Sequence, residues 1–505
     1  MKEQSKTFKE VSNFLFLCKN FIKKFIDLKN YLLYDFYMEK LSEKLPEKFK
    51  ERIQNSLGKD FDKYVEAIDK PSVRGVRVNT KKIAANEVEK IFEKEFGLKL
   101  EKVKYSSDGF ILNSNEKFGN ETSHLSGLYY FQEPSSMVPV CASQIEKEDG
   151  PLKVLDLCAS PGGKTGQIAC RVGDDSLIVS NEIISSRASV LFSNVERQGF
   201  KNVIVTNEEP EGLLCFEGFF DYVFVDAPCS GEGMFRRIPE TISEWSEENV
   251  KMCAERQKQI LEVAEKLVAA GGKLVYSTCT YAKEEDEEIV EWFVNNFNYE
   301  LQDVPESVKK STVASSANVK NAEFARKFYP FSGEGEGQFV AVFKNNDDVR
   351  ETRMHTKKHF RAIEGIGRTK RALFDEFQKE NLTEKIDGRI YEVGETVYLV
   401  PKMFDGDLQT AVDTLKFNTI GVKVGSLLKG RFEPNHSIFM AYAEIFKNKI
   451  ELNDDEVKKY LHGEEILSNI TSKGYGVVTK NGYALGGVKI VNGRLKNLYP
   501  KGLRV

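Results

Sequence analysis

The chain has 505 residues, of which 41% are hydrophobic and 30% charged, and its formal net charge is −4. That length predicts about three domains, and the composition excludes a disordered chain. The acidic balance excludes a uniformly basic nucleic-acid binder and leaves room only for a local basic groove. No apolar run reaches the ~20 residues that a membrane helix needs. The eight Cys are too sparse for a disulfide scaffold and predict a reducing cytoplasm. They form no CxxC pair, so no metal site is expected.

Residues 1–37 carry seven Lys against four acids and lack the long apolar core and cleavage site of a secretory signal. They read as an amphipathic extension. Because a cleaner sequence begins at Met38, they also read as a start-site artefact. Residues 38–126 are expected to form an N-terminal α+β region. Its helical part places Leu45, Phe49, Ile53 and Leu57 on one face, and a short strand follows around Val76–Val78.

From 127 to 345 apolar strands alternate with helical segments. The strand candidates are LKVLDLC, SLIVSNE, NVIVTN, DYVFVDA and KLVYSTC. That rhythm means βα units and a mostly parallel sheet. Residues 346–375 read as a basic linker. Within it, 350–371 sets eight Arg or Lys against two Glu, with His355 and His359 besides. The stretch is either a solvated connection or a phosphate-binding strip. Residues 376–505 are expected to form one small β-rich module, with NG and GG turn signals between short strands.

The strongest local signal is Val154-Leu-Asp-Leu-Cys-Ala-Ser-Pro-Gly-Gly-Lys-Thr165, a strand running into a glycine turn and a helix. Ligands of doubly wound sheets bind at such carboxyl ends. Gly162 and Gly163 let a ligand approach the backbone closely. Neither GxxxxGK[ST] nor GxGxxG is present, so a nucleoside without phosphates fits better than a nucleotide. Glu182 ends the second strand, where an acid can accept hydrogen bonds from ribose hydroxyls. Asn207 and Glu208 both end the third strand, and either can reach the adenine edge. Asp226 ends the fourth strand, in Asp226-Ala-Pro-Cys229-Ser-Gly-Glu-Gly233. Cys279 ends the fifth, in Ser277-Thr-Cys279-Thr280. A lone buried Cys is usually structural, but two at successive strand ends on the ligand side point to chemistry. Cys18, Cys141, Cys170, Cys215 and Cys253 keep the structural reading, while Cys158 lies in the cofactor loop.

Together these runs resemble the Sun family of S-adenosylmethionine-dependent RNA cytosine-C5 methyltransferases. Further matches are Arg77-Val-Asn-Thr80, Tyr130-Phe-Gln-Glu-Pro-Ser-Ser136, Gly335-Glu-Gly-Gln-Phe339, and Arg187, Leu191, Asn194, Arg197 and Gly199 on the helix after the second strand. The resemblance covers roughly 40–345. The tail motifs Gly430-Arg-Phe-Glu-Pro434 and Leu495-Lys-Asn-Leu-Tyr-Pro-Lys-Gly502 resemble the bacterial small-subunit ribosomal RNA branch. One departure is Pro330-Phe331, where the family often has Pro-His.

The resemblance implies a class I methyltransferase fold with a Rossmann-like, mostly parallel seven-stranded sheet, flanked by an N-terminal RNA-binding region and a C-terminal PUA-like domain. It implies S-adenosylmethionine held by Cys158, Ala159, Ser160, Pro161, Gly162, Gly163, Lys164, Glu182, Asn207 and Asp226. Cys279 is then the nucleophile that adds to cytosine C6, and Asp226 holds the base near N3. Cys229 assists release, and Lys164 stands as a cation beside Cys279 or orients Asp226 or the base. The region near Arg77, the basic strip and the C-terminal module are expected to grip RNA. A monomer in the cytoplasm is expected, with no membrane partner. The rival readings are a transfer RNA substrate and an RNA-binding assembly factor with a vestigial site.

Overall fold

The computed structural model describes residues 40–114, 118–146, 149–352, 363–428 and 430–504. The extension 1–37, Met38 and the heart of the basic strip, with His355 and His359, lie outside the described residues. The chain divides into two units, residues 1–70 and 71–505.

In the first unit the apolar spacing produces helices Leu41–Lys44, Glu47–Leu57 and Phe61–Ile68. Phe49 and Ile53 are buried and Phe49 packs on Tyr64, with ring centroids 6.5 Å apart. Ser42 Oγ donates to Asp69 Oδ2 at 2.9 Å and ties the first helix to the end of the last.

The second unit opens with a four-stranded antiparallel sheet ordered Glu101–Lys102, Gly109–Leu112, Arg74–Val78 and Tyr129–Phe131. The expected boundary at 126 therefore cuts this sheet, because Val76 to Val78 pair with Phe131 to Tyr129.

The central sheet is built from β1 (Lys153–Asp156), β2 (Leu177–Asn181), β3 (Val203–Thr206), β4 (Phe220–Asp226), β5 (Val268–Thr278) and β6 (Gln338–Asn345). All five of the strand candidates form. β1 to β5 are parallel, in the order β3-β2-β1-β4-β5, and β6 pairs antiparallel with β5. These strands are buried on both faces, which is why they read as continuous apolar runs instead of alternating. Strand order reverses between β1 and β4, and the crevice at their carboxyl ends is where a doubly wound sheet binds its ligand.

The sheet has ten strands among the described residues, where seven were expected. Short strands Tyr299–Leu301, Val313–Ala314 and Arg326–Phe328 extend one side. At the other edge β7 (Phe417–Ile420), from the C-terminal part, lies antiparallel on β3. Addition of β7 covers an edge that would otherwise expose unpaired backbone groups.

The region 376–505 is two modules instead of one. Glu364–Gly365, Ile390–Val393, Thr396–Leu399, Val422–Leu428 and Arg431–Pro434 form one five-stranded sheet. Lys449–Glu451, Gly474–Lys480, Tyr483–Val491, Arg494–Asn497 and Ile466–Leu467 form a second. Asn481-Gly482 and Asn492-Gly493 make the expected turns, both residues of each pair having positive φ. Gly486-Gly487 does not turn. It runs inside a strand, because a Cβ on Gly487 would strike the Phe439 ring.

Candidate active site

The glycine turn after β1 is fixed from several sides. Ala159 N donates to Asn181 O at 2.8 Å, and Asn194 Nδ2 donates to Pro161 O at 2.9 Å. Ser160 Oγ donates to Arg187 O at 3.0 Å, and Arg187 returns a bond to Ser160 O at 3.1 Å. Arg187 and Asn194 thus explain part of the helical spacing read from the sequence. Gly162 has φ +105°, a conformation that glycine adopts without strain, and it opens the helix Gly163–Arg171. Cys158 sits under the loop, where burial pushes its thiol up and keeps it protonated.

The floor of the crevice is Asp156. Thr165 Oγ donates to its Oδ2 at 2.6 Å, while Oδ1 is buried with no partner among the described residues. Burial raises this carboxyl to about 6. Glu182 is buried at the end of β2; its Oε1 accepts from Ile184 N at 2.9 Å and its Oε2 lies 3.4 Å from Arg187. The next two residues, Ile183 and Ile184, are 54% and 49% exposed. An acid that accepts from hydroxyls beside an uncovered apolar surface is the arrangement that a nucleoside needs.

The third strand's two candidates part company. Asn207 Nδ2 donates to Glu182 O at 2.6 Å and Ile183 O at 2.9 Å, so Asn207 braces the acid's turn. Glu208 Oε1 instead accepts from Lys416 N at 2.6 Å, which turns that carboxylate toward the chain leading into β7. The two side chains thus diverge, Asn207 toward the turn after β2 and Glu208 toward the chain before β7.

Across the crevice Lys164 Nζ lies 2.8 Å from Asp226 Oδ2. Of the placements considered for Lys164, this is the one that orients Asp226. Ser277 Oγ at 2.7 Å and Gln338 Nε2 at 3.2 Å both donate to Asp226 Oδ1. The carboxylate is clamped by three side chains from three elements and remains about one-third exposed, at 34%. Beside it, Cys229 Sγ and Cys279 Sγ stand 3.0 Å apart, and Cys279 N donates to Cys229 Sγ at 3.3 Å. The contact with Cys279 first, and burial second, push the Cys229 thiol well up.

Both cysteine loops are anchored from behind. Glu285 Oε2 accepts from Ser230 N at 3.0 Å and Gln257 Nε2 at 2.8 Å, and Gln257 also donates to Pro228 O at 3.1 Å. Burial raises Glu285 to about 7. Thr278 Oγ donates to Asp286 at 2.6 Å, and Asp286 pairs with buried Lys327 at 3.1 Å. Sequence reasoning assigned no role to Ser277, Gln338 or Glu285. Ser277 and Gln338 lay inside quoted motifs, and their position two residues from Cys279 and in the β6 motif was the available signal.

Arg77 marks the region expected to grip RNA but is itself internal. It is fully buried, donating from Nε to Gln132 Oε1 at 2.7 Å, with its guanidinium 6.0 Å from the Tyr130 ring. Asn79 Nδ2 donates to Gly127 O and Gln198 O, both at 2.9 Å. Arg197 donates to His124 O at 2.7 Å. These motif residues dock the N-terminal sheet on the helix Ser185–Gln198; Arg77 has no surface to offer RNA.

A doubly wound sheet with a nucleoside cradle at its switch point, facing a clamped Asp and paired thiols, defines a methyltransferase of the S-adenosylmethionine-dependent class. Residues 143–344 match the family described as 16S rRNA methyltransferase RsmB/F. Residues 45–134, 376–442 and 447–505 match the N-terminal, first C-terminal and PUA domains described for RsmF. The chain is 30% identical to ribosomal RNA small subunit methyltransferase F of Shewanella piezotolerans, over 90% of this chain and 97% of that one. It is 31% identical to the protein of the same name from Vibrio parahaemolyticus, over 91% and 97%. A methyltransferase homolog from Pyrococcus horikoshii shares 30% identity at TM-score 0.50, covering 57% of this chain and 91% of that chain. NSun6 of Pyrococcus horikoshii, solved with SFG, shares the fold at 20% identity and TM-score 0.53, over 60% and 99%. The chain belongs to the RsmB/F family of 16S rRNA methyltransferases.

Proposed function

We propose that this enzyme forms 5-methylcytosine in small-subunit ribosomal RNA, with Cys279 as nucleophile, Cys229 as the thiol that assists release, Asp226 as the base-holding carboxylate and Lys164 as its orienting cation. The observation that carries this assignment is the pair of strand-end thiols, 3.0 Å apart, beside the Lys164–Asp226 ion pair. Asp156, the glycine turn, Glu182, Asn207 and the exposed Ile183 form a cradle that fits S-adenosylmethionine. When bound, that cofactor supplies an electrophilic methyl group.

Cytosine C5 is a poor nucleophile. Attack of the Cys279 sulfur on C6 forms an S–C6 bond and places electron density on C5. Asp226 holds the ring at its N3 edge, and the negative charge that develops there during attack is met by the Lys164 ammonium beside the carboxylate. Its clamp of Lys164, Ser277 and Gln338 fixes that carboxylate before substrate arrives, the condition for electrostatic stabilisation. After C5 is methylated its proton leaves to a base, the S–C6 bond breaks, and the electron pair returns to the Cys279 sulfur. Cys229, whose thiol is held protonated, is suited to donate a hydrogen bond to that sulfur and unsuited to attack. The division of labour between the thiols rests on the two motifs that carry them, Thr278-Cys279 and Pro228-Cys229.

The target base leaves its stack to reach the crevice, as base chemistry requires. The N-terminal sheet and the two C-terminal modules supply the grip on RNA. The chain works as a monomer in the cytoplasm, since an asymmetric RNA needs no symmetric partner. Among the described residues no helix is long and apolar enough to cross a membrane.

The test is incubation with tritiated S-adenosylmethionine and separate RNA pools from cells lacking the gene. Label is expected in small-subunit RNA as 5-methylcytosine. Label confined to transfer RNA moves the protein to that substrate. Cofactor and RNA binding with no label in any pool leaves an assembly factor.

A further inference from the structure

The mouth of the crevice carries two arginines that the chemistry does not use. Glu336, buried, accepts from Val73 N at 3.2 Å through Oε1 and from Arg236 Nε at 2.7 Å through Oε2. One carboxylate thereby fixes the residues that precede Arg74 and Arg237. Gly233 N, three residues before Arg236, donates to Cys279 O at 2.9 Å, so the chain segments that Glu336 joins run beside the site. The guanidinium of Arg74 lies 5.5 Å from the Phe118 ring centre and 5.4 Å from that of Phe131. Those rings stack, with centroids 6.2 Å apart at 26°. Arg237 is exposed, and Ile238 after it is 42% exposed. Burial and the neighbouring Arg237 charge, in that order, lower Arg74, and Glu121 opposes them. Both arginines follow residues that Glu336 holds, and two guanidiniums on one anchor favour an anion between them. An arginine braced on aromatic rings also loses little freedom when it meets a base. Phosphate and aromatic base together make a nucleotide.

Resting on the RNA methyltransferase reading above, we propose that Arg74, braced on Phe118 and Phe131, and Arg237 form a rim that grips the unpaired RNA strand flanking the target cytidine. Arg237 takes a backbone phosphate and Arg74 a neighbouring nucleotide. The rim lies in the region near Arg77, while Arg77 itself is buried.

The test uses the full chain and an unmodified small-subunit ribosomal RNA transcript, with filter binding across a salt series and steady-state methylation. Arg237→Gln is expected to weaken RNA binding about three- to tenfold at low salt, as loss of a charged contact does. The slope of log affinity against log salt should fall by about 0.7 for each phosphate contact removed. KM for RNA should rise while kcat and S-adenosylmethionine affinity stay unchanged. Arg237→Lys should restore the slope, whereas Arg74→Lys should not restore affinity, because an ammonium does not stack. Because Arg237 is exposed, its variants read the rim even where Arg74 variants fold poorly. Unchanged RNA affinity and salt slope in Arg237→Gln overturn the proposal. Wild-type chain that binds the transcript with the expected slope yet never methylates it leaves the rim standing and overturns the enzymatic reading instead.

Discussion

Two polar clusters flank the helix Gly163–Arg171, and both are drawn from motifs of equal specificity. On one side Arg77, Asn79, Gln132 and Arg197 are closed in: guanidinium and amide groups meet carbonyls or aromatic faces, and the cluster joins two parts of one unit. On the other side Lys164, Asp226, Cys229 and Cys279 are held from behind and open in front. Asp226 spends its hydrogen-bond capacity on three donors yet keeps one-third of its surface exposed. A motif residue therefore serves chemistry only where the fold leaves it a free face. The first cluster should govern stability and the second rate.

The largest separation is expected for Asp226→Asn. Methyl transfer per folded molecule should fall by roughly 10²–10⁴-fold, the range for loss of a charge-stabilising group, whatever the unpairing of buried Lys164 costs the denaturant midpoint. A large loss of stability with rate retained in the folded fraction would erase the distinction. Arg77→Met should behave in the opposite way. It leaves Gln132 Oε1 without its 2.7 Å donor in a buried position, at a cost of about 1–3 kcal/mol in urea unfolding. Methylation per folded molecule should stay at the wild-type rate.

Glu285 stands between the two classes, since it anchors the Cys229 loop without reaching the open face. Burial holds its carboxyl near 7, above the ordinary 4.5, so the folded chain binds this proton more tightly than the unfolded chain. Its contribution to stability is full below about pH 4.5 and is lost as pH rises to about 7. Glu285→Gln should flatten that fall, read as unfolding midpoints at pH 5 and pH 8. An equal fall in both proteins would remove Glu285 as its source. The smallest effect belongs to Ile183→Ala, which trims exposed apolar surface beside Glu182. S-adenosylmethionine affinity should weaken about threefold to tenfold by calorimetry, the worth of a few buried methylenes, with kcat intact. No change would take Ile183 out of the cradle.

The five parallel strands and the two cysteine loops were legible because each is a continuous run: apolar residues, then glycine, acid or cysteine at the strand end. What joins those loops was not. Two of the donors to Asp226, Ser277 and Gln338, lie 51 and 112 residues away, and Glu285 meets Ser230 across 55. Local patterning carries no trace of such separations. The strand Phe417–Ile420 escaped notice for the same reason, since its partner Val203–Thr206 belongs to another module. Gly486-Gly487 resembled a turn because glycine serves both tight turns and close approach, and only the Phe439 ring distinguishes them. The sequence marked the region near Arg77 for RNA but not which of its arginines is internal, because charge in a sequence does not reveal burial.

The central claim is that two adjacent thiols divide one reaction, Cys279 attacking and Cys229 releasing. The direct test incubates Cys229→Ala, Cys279→Ala and the double variant with labelled S-adenosylmethionine and small-subunit ribosomal RNA, and resolves denatured protein by mass. Cys229→Ala should accumulate a methylated RNA adduct that digests to a peptide modified at Cys279. Cys279→Ala and the double variant should form none and transfer no methyl group. An adduct on Cys229 in the Cys279→Ala protein, with methylation retained, would contradict the account and reverse the roles of the two sulfurs.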